Sequence, residues 1–387
     1  MPERGVAELP APLVLRHPDF AWSRPGLSVA AQGTAGVREG PSLQAVLRAI
    51  AEGPALPGVP GPWFGAAAFH HLQGADWAGF SPLSFRLPEI VSWTADGRHF
   101  VASFGDRNPL IEHAALPVAG AVRIVPQPGE RERWVRLVER ALREIRKGRL
   151  DKVVLARAVE VESGEPFDPQ ALRASLEQRY PECRVFLLRS GGAAFIGATP
   201  ELLCKVDGDR VQTEALAGSA APGQEARLLA SQKDLREHAE VVEHIVSRLR
   251  PLSRTVAAPP EPRILALSNV LHLRTPIEAR LAPGRGAADV AAALHPTPAV
   301  CGAPQAAALR FLAEHEGLDR GLYAGVVGWA GPSGAELAVA LRCAVVRGRK
   351  ARLFVGAGIV EGSEPAAEWD ETELKAHALL GALGARP

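Results

Sequence analysis

Along most of this chain, β-branched or apolar runs alternate with helices that are apolar on one side only, and that alternation suggests an α+β fold of antiparallel strands. The stretch Leu353 to His377 (LFVGAGIVEGSEPAAEWDETELKAH) shows the pattern in miniature. It reads as a strand at Leu353 to Val355, a glycine-rich turn at Gly356 to Gly358, a Pro-containing loop and an acidic helix. On that helix Glu368, Glu371 and Lys375 follow i, i+3, i+7 spacing and share a face. Taken alone, such a face is a solvated one whose Asp370, Glu371 and Glu373 complement the helix dipole. Only matching acids elsewhere would give it another use.

At 387 residues, 47% hydrophobic and 22% charged, the chain can bury a full core and is expected to be soluble. A net charge of +1 without a basic block excludes bulk phosphate neutralisation, so no nucleic-acid partner is expected. Neither an apolar leader nor a run of about 18 apolar residues is present, so no membrane association is expected and the expected location is cytoplasmic. Cys183, Cys204, Cys301 and Cys343 lack metal-ligand spacing and read as buried reduced thiols.

Residues 1–125 carry short apolar pieces that suggest antiparallel strands, at Leu13 to Leu15, Trp63 to Phe69, Ile90 to Trp93 and Phe100 to Phe104, with one helix at Ser42 to Glu52. Nothing in them looks chemical. A loop at Pro126 to Gly129 marks the internal boundary, and residues 126–387 form the dense remainder, opening on a helix at Arg131 to Lys147 that Gly148 can close. Asp168 and Pro169 start another helix, and strands follow at Arg184 to Leu188 and Ala193 to Ala198. Ser231 to Leu249 is helical, with Leu235, Ala239, Val242, Ile245, Val246 and Leu249 as its apolar stripe. Ile264 to Thr275 reads as a strand with a polar insert, and Pro304 to Glu316 as a helix. Leu322 to Trp329, Ala335 to Val346 and Ala351 to Val355 read as three antiparallel strands.

Several residues admit two readings. Lys152 opens the strand KVVLARAVEV, either as a snorkelling edge residue or as a desolvated amine able to act as a base. Glu201, in GATPELL, sits at the end of a buried-looking strand, where a protonatable carboxyl is plausible. Gly218 and Ser219 offer an anion-binding backbone or an ordinary turn. Asp234 and Glu237 share a face of the Ser231 to Leu249 helix, solvated or paired with the acids at 368 and 371 in a carboxylate cage of the kind Mg²⁺ prefers. Arg342, inside an apolar strand, needs an anionic partner, in an edge ion pair or a ligand.

The ordered strings KVVLAR (152–157), GATPELL (197–203), EALAGS (214–219), KDLREHAEVV (233–242), HPTPAVCGAP (295–304), LYAGVVGW (322–329), ALRCAVV (340–346) and GAGIVEGSEPAAEWDET (356–372) resemble the chorismate-utilising enzymes, and within them the isochorismate synthases. The resemblance runs from about Trp134 to the C-terminus. It implies a large β-sandwich core flanked by helices with the site in a central cleft, an Mg²⁺ cofactor, and chorismate as substrate. Glu237 and Glu371 match the metal ligands, supported by Asp234 and Glu368. Lys152 matches the lysine that activates water for attack at ring carbon C2, and Glu201 the acid that protonates the departing C4 hydroxyl. His272 matches a histidine beside the ring, while Arg342 and Lys375 match residues serving the substrate carboxylates. Gly218, Ala299, Val300 and Gly356 match pocket walls. Leu271 stands where the family commonly has an aromatic residue.

Ammonia-using relatives, the anthranilate and aminodeoxychorismate synthases, usually carry glutamine at the position of Lys152 and need a glutaminase partner. The lysine therefore favours water, with no glutaminase subunit and a monomer expected. Salicylate synthases keep the lysine and go on to eliminate pyruvate. Isochorismate itself serves menaquinone, siderophore and salicylate routes.

Overall fold

The computed structural model describes residues 6–15, 17–53, 61–69, 72, 74–104, 121–267 and 270–385. Its organising strand is Lys152–Ser163, paired antiparallel along almost its whole length with Lys350–Val360, from Lys152 opposite Val360 to Glu162 opposite Lys350. Both belong to a twelve-stranded sheet, and a ten-stranded sheet faces it. The rings of Phe20 and Phe64, one from each sheet, lie 4.8 Å apart between centroids. Trp22, Phe186 and Phe195 of the larger sheet share a buried cluster with Phe64, Leu203 and Leu337 of the smaller. Each such side chain contributes roughly 1.5–3 kcal/mol of burial free energy.

Helices close the outer faces. Pro169–Arg179 and Pro365–Leu383 place Leu172, Leu176, Leu379 and Leu380 against Val185, Leu187, Ile196 and Leu353 of the larger sheet. The first starts as expected, with Asp168 Oδ1 accepting from the Gln170 amide at 2.9 Å and Pro169 at N1. Gln232–Leu249 packs on the strand Arg210–Ala220 of the smaller sheet, capped by the Ser231 hydroxyl. Residues before 126 are woven into both sheets: Phe20–Arg24 pairs with Arg184–Ser190, and Trp63–Ala67 with Val326–Gly331. No described helix is long and apolar enough to cross a membrane. All four cysteines are free and buried, and burial raises the Cys204 thiol to about 12.

Six expectations are corrected. Leu13 to Leu15 is not a strand; the hairpin Phe20–Arg24 and Leu27–Gln32 occupies that part of the sheet, joined at Pro25 and Gly26. Ile264 to Thr275 is two strands, Arg263–Ala266 and Leu271–Leu281, paired antiparallel, because the polar insert is their connection; Ser268 and Asn269 within it lie outside the described residues. Ala335 to Val346 divides into Gly334–Val339 in the smaller sheet and Cys343–Arg347 in the larger. Arg342 lies in that crossover at φ 46°, not in a strand. Gly356 to Gly358 makes no turn, since the strand runs unbroken from Lys350 to Val360. The buried stripe of Gln232–Leu249 is His238, Val241, Ile245 and Leu249; the pairing of His238 Nε2 with the Thr275 hydroxyl at 2.7 Å offsets part of the cost of burying the ring.

Arg320 escaped sequence reasoning. Fully enclosed, it donates to Glu316 from Nε (2.7 Å) and Nη2 (2.6 Å), to the Val300 carbonyl at 2.9 Å and to the Val154 carbonyl at 2.6 Å. It thus ties the loop holding Val300 to the strand holding Lys152. Truncation leaves Glu316 buried and unpaired, so Arg320→Ala should cost about 3–5 kcal/mol, read as a drop in the denaturant midpoint. A change below about 1 kcal/mol would remove this clamp from the account.

Candidate active site

One cavity gathers the site residues that the resemblance assigns: Lys152, Glu201, Gly218, Asp234, Glu237, His272, Ala299, Val300, Arg342, Gly356, Glu368, Glu371 and Lys375 all line it. It opens where the start of Lys152–Ser163 meets the early turns of Gln232–Leu249, the helix Pro365–Leu383 and the 340–342 crossover. Lys233, Tyr323 and Gly358 also line it, and sequence reasoning gave them no role. Each lies in a quoted string, but only strand register and helix phase reveal which way it points.

Lys152 is 4% exposed, and its Nζ lies 2.5 Å from Glu237 Oε1. A Cβ at Gly358 would stand 2.9 Å from the Lys152 Cε, so the glycine leaves room for the amine. For Glu237, burial pushes the carboxyl up, but Lys152, Lys375 and Lys233 outweigh it and hold the carboxyl below its ordinary value. Lys375 bridges Glu371 Oε1 at 2.6 Å and donates to the Gly356 carbonyl at 2.9 Å. Burial, with Glu371 nearby, raises Glu368. Among the described residues no three His, Cys, Asp or Glu side chains converge to hold a metal ion by themselves.

Glu201 follows the strand Ala193–Thr199 and is 6% exposed. Burial first, then the Glu214 carboxylate, push it up to about 7, against weaker opposing effects of the Thr297 hydroxyl, Lys152 and Lys375. A carboxyl poised there is still half protonated at neutral pH and can donate a proton. Lys152 and Glu201 thus offer a nitrogen base and a carboxylic acid in the same enclosed space.

Arg342 Nη2 donates to His272 Nε2 at 2.7 Å. His272 Nδ1 lies 3.1 Å from the Ser219 hydroxyl and 3.3 Å from the Gly218 carbonyl. Burial, then Arg342 and Lys375, hold His272 well below its ordinary range, so the ring is neutral with its proton on Nδ1. Arg342 Nη1 is buried without a hydrogen-bond partner among the described residues. Arg342 itself lines the cavity, and a buried guanidinium with a spare N–H favours an anionic partner. Gly218, at φ 76°, sits at a bulge between Ala217 and Ser219. A Cβ on Gly356 would approach the Leu155 carbonyl to 2.7 Å and the Tyr323 hydroxyl to 2.8 Å.

A sequence model of chorismate binding enzymes matches residues 113–384. The chain is 40% identical over 288 residues to the salicylate biosynthesis isochorismate synthase of Pseudomonas aeruginosa, an alignment covering 72% of this chain and 60% of that relative. It is 37% identical over 321 residues to the isochorismate synthase EntC of Escherichia coli K12, covering 78% of each. Among solved structures, MenF, the menaquinone-specific isochorismate synthase from Escherichia coli, superposes with a TM-score of 0.83 at 29% identity, covering 99% of this chain and 95% of that one.

Proposed function

The chain belongs to the chorismate-binding enzyme family, and from that premise we propose that it converts chorismate to isochorismate by adding water at C2 as the C4 hydroxyl leaves. The observation that carries this proposal is the enclosure of Lys152 and Glu201 in one cavity, with the carboxyl of Glu201 held near neutral by burial. Lys152 takes the proton from the attacking water as its oxygen bonds to C2. The two ring double bonds shift from C1=C2 and C5=C6 to C1=C6 and C4=C5, the C4–O bond breaks, and Glu201 gives its proton to the departing hydroxyl, which leaves as water. Atoms balance, since one water enters and one leaves. To accept a proton Lys152 must be the free amine, so its pairing with Glu237 has to be broken before the chemical step.

Arg342 and Lys375 serve the substrate carboxylates; the unpartnered Arg342 Nη1 supports that assignment. His272, kept neutral, donates or accepts beside the ring without adding charge. Gly218, Ala299, Val300 and Gly356 form walls close to the ring, where added side chains would intrude.

An Mg²⁺ ion fits the donor set. Asp234, Glu237, Glu368 and Glu371 present only carboxylate oxygens to the cavity, the hard ligands this ion takes, and Mg²⁺ is commonly held by one or two carboxylates plus water and substrate, so a complete protein cage is not required. Glu237 and Glu371 would hold it, with Asp234 and Glu368 supporting them. When bound, it neutralises substrate carboxylate charge. Glu371→Gln should raise the Mg²⁺ concentration for half-maximal activity by roughly 10-fold or more while thermal stability changes little. An unchanged metal titration would take Glu371 out of the ligand set.

The activity is tested by product analysis with chorismate and Mg²⁺, with and without ammonium. Isochorismate alone is the expected product. Salicylate with pyruvate, or anthranilate, would overturn the assignment.

A further inference from the structure

The strand after Glu201 is held in an unusual way. Leu202–Asp207 pairs with Arg210–Ala220 only from Asp207 to Lys205, and its ladder to Gly334–Val339 shifts between Leu202 and Cys204. The residues next to Glu201 therefore lose the backbone ladder on one side. Two side chains of Arg210–Ala220 replace it: Glu214 Oε1 accepts from the Leu202 amide at 3.1 Å, and the Thr213 hydroxyl donates to the Leu203 carbonyl at 2.7 Å. Glu214 is 5% exposed. Its other oxygen takes a hydrogen bond from Arg274 Nε at 2.5 Å, while Arg184 stands 3.7 Å from Oε1 and reaches the enclosed Glu336 at 3.3 Å. Arg24 joins the same Glu336 at 2.8 Å, so the chain of charges crosses between the sheets.

We propose that Glu214 is a positioning residue for Glu201: it fixes the backbone directly after the acid and presents a negative charge that favours the acid's protonated form. The proposal rests on the assignment of Glu201 as the proton donor. A carboxyl near a second buried carboxylate gives up its proton less readily, and Glu214 is the largest charge effect on Glu201 after burial itself. The other groups facing Glu201 are Lys152 from the strand Lys152–Ser163, Lys375 from the helix Pro365–Leu383, Tyr323 from the segment before Val326–Gly331 and the Thr297 hydroxyl. Lys152, Lys375 and Thr297 all oppose the effect of Glu214, so without it they would act unchecked except by burial.

The test is the pH dependence of kcat/KM for chorismate consumption, whatever the product, with a thermal midpoint for every variant. Glu214→Gln keeps an oxygen for the Leu202 amide but loses the charge, and should move the high-pH limb down by roughly half a unit to one unit with KM nearly constant. Arg274→Met, at a side chain 45% exposed, removes the cation that offsets Glu214 and should move the limb up. Glu214→Asp keeps the charge but not the reach; its limb should stay near the wild-type position while kcat falls. Limbs that coincide in wild type, Glu214→Gln and Arg274→Met would overturn the proposal even if all three midpoints fall. Should the wild-type limb persist in Glu201→Gln, the acid assignment itself fails, and this inference with it.

Discussion

Lys152→Gln is expected to cut chorismate turnover by about 10²- to 10⁴-fold, the usual worth of a positioned proton-transfer group. Glutamine approximates the chain length and can still hydrogen bond to Glu237, which the lysine contacts at 2.5 Å, so the cavity should keep its shape. What it cannot do is accept a proton from water. Substrate binding and the Mg²⁺ titration should change far less than kcat, because Arg342, Lys375 and the carboxylates are untouched. A variant that turns over at the wild-type rate would leave the water without its base.

Glu201→Gln should be comparably severe, and its second signature is opposite in sign. The acid works protonated, and burial holds it at about 7, so wild-type activity should fall as pH rises through that value. In the variant that limb should vanish along with most of the rate. Stability runs the other way. A carboxyl whose folded value lies above its unfolded one binds more protons in the native state, so it costs stability as pH climbs from about 4.5 toward 7 and beyond. Replacing it with a neutral amide removes that cost, on the order of 3 kcal/mol at pH 8 if the amide's hydrogen bonds are met. The variant should therefore melt higher than wild type at pH 8 and about level with it at pH 4. A variant that melts lower at both values would show Glu201 to be a structural carboxylate, not a group kept at a cost in stability for chemistry.

The helices and most strands of residues 126–387 were legible because their signals are local. Asp168 with Pro169, and Gly148, mark ends by capping chemistry, and the structure uses them all. The site residues were legible mainly through family strings; spacing alone left Lys152, Gly218 and Arg342 each with an ordinary alternative. What stayed hidden depends on register and crossover. The run from Ala335 to Val346 looks continuous because both halves are buried, yet it changes sheets at Arg342. The glycines at 356 and 358 signal a turn by composition, whereas their use is to let the Tyr323 hydroxyl and the Lys152 amine lie against a strand. Glu214 stood in a family string without a role, since its effect on Glu201 requires the ladder to open at Leu202.

The central claim, that this cavity adds water to C2 while the C4 oxygen departs, is tested most directly by turnover of chorismate with Mg²⁺ in ¹⁸O-labelled water, with mass analysis of the product. Isochorismate carrying one solvent-derived oxygen at C2 is the expected result. Product retaining the original ring oxygen would mean an internal shift, and it would contradict both the base role of Lys152 and the acid role of Glu201.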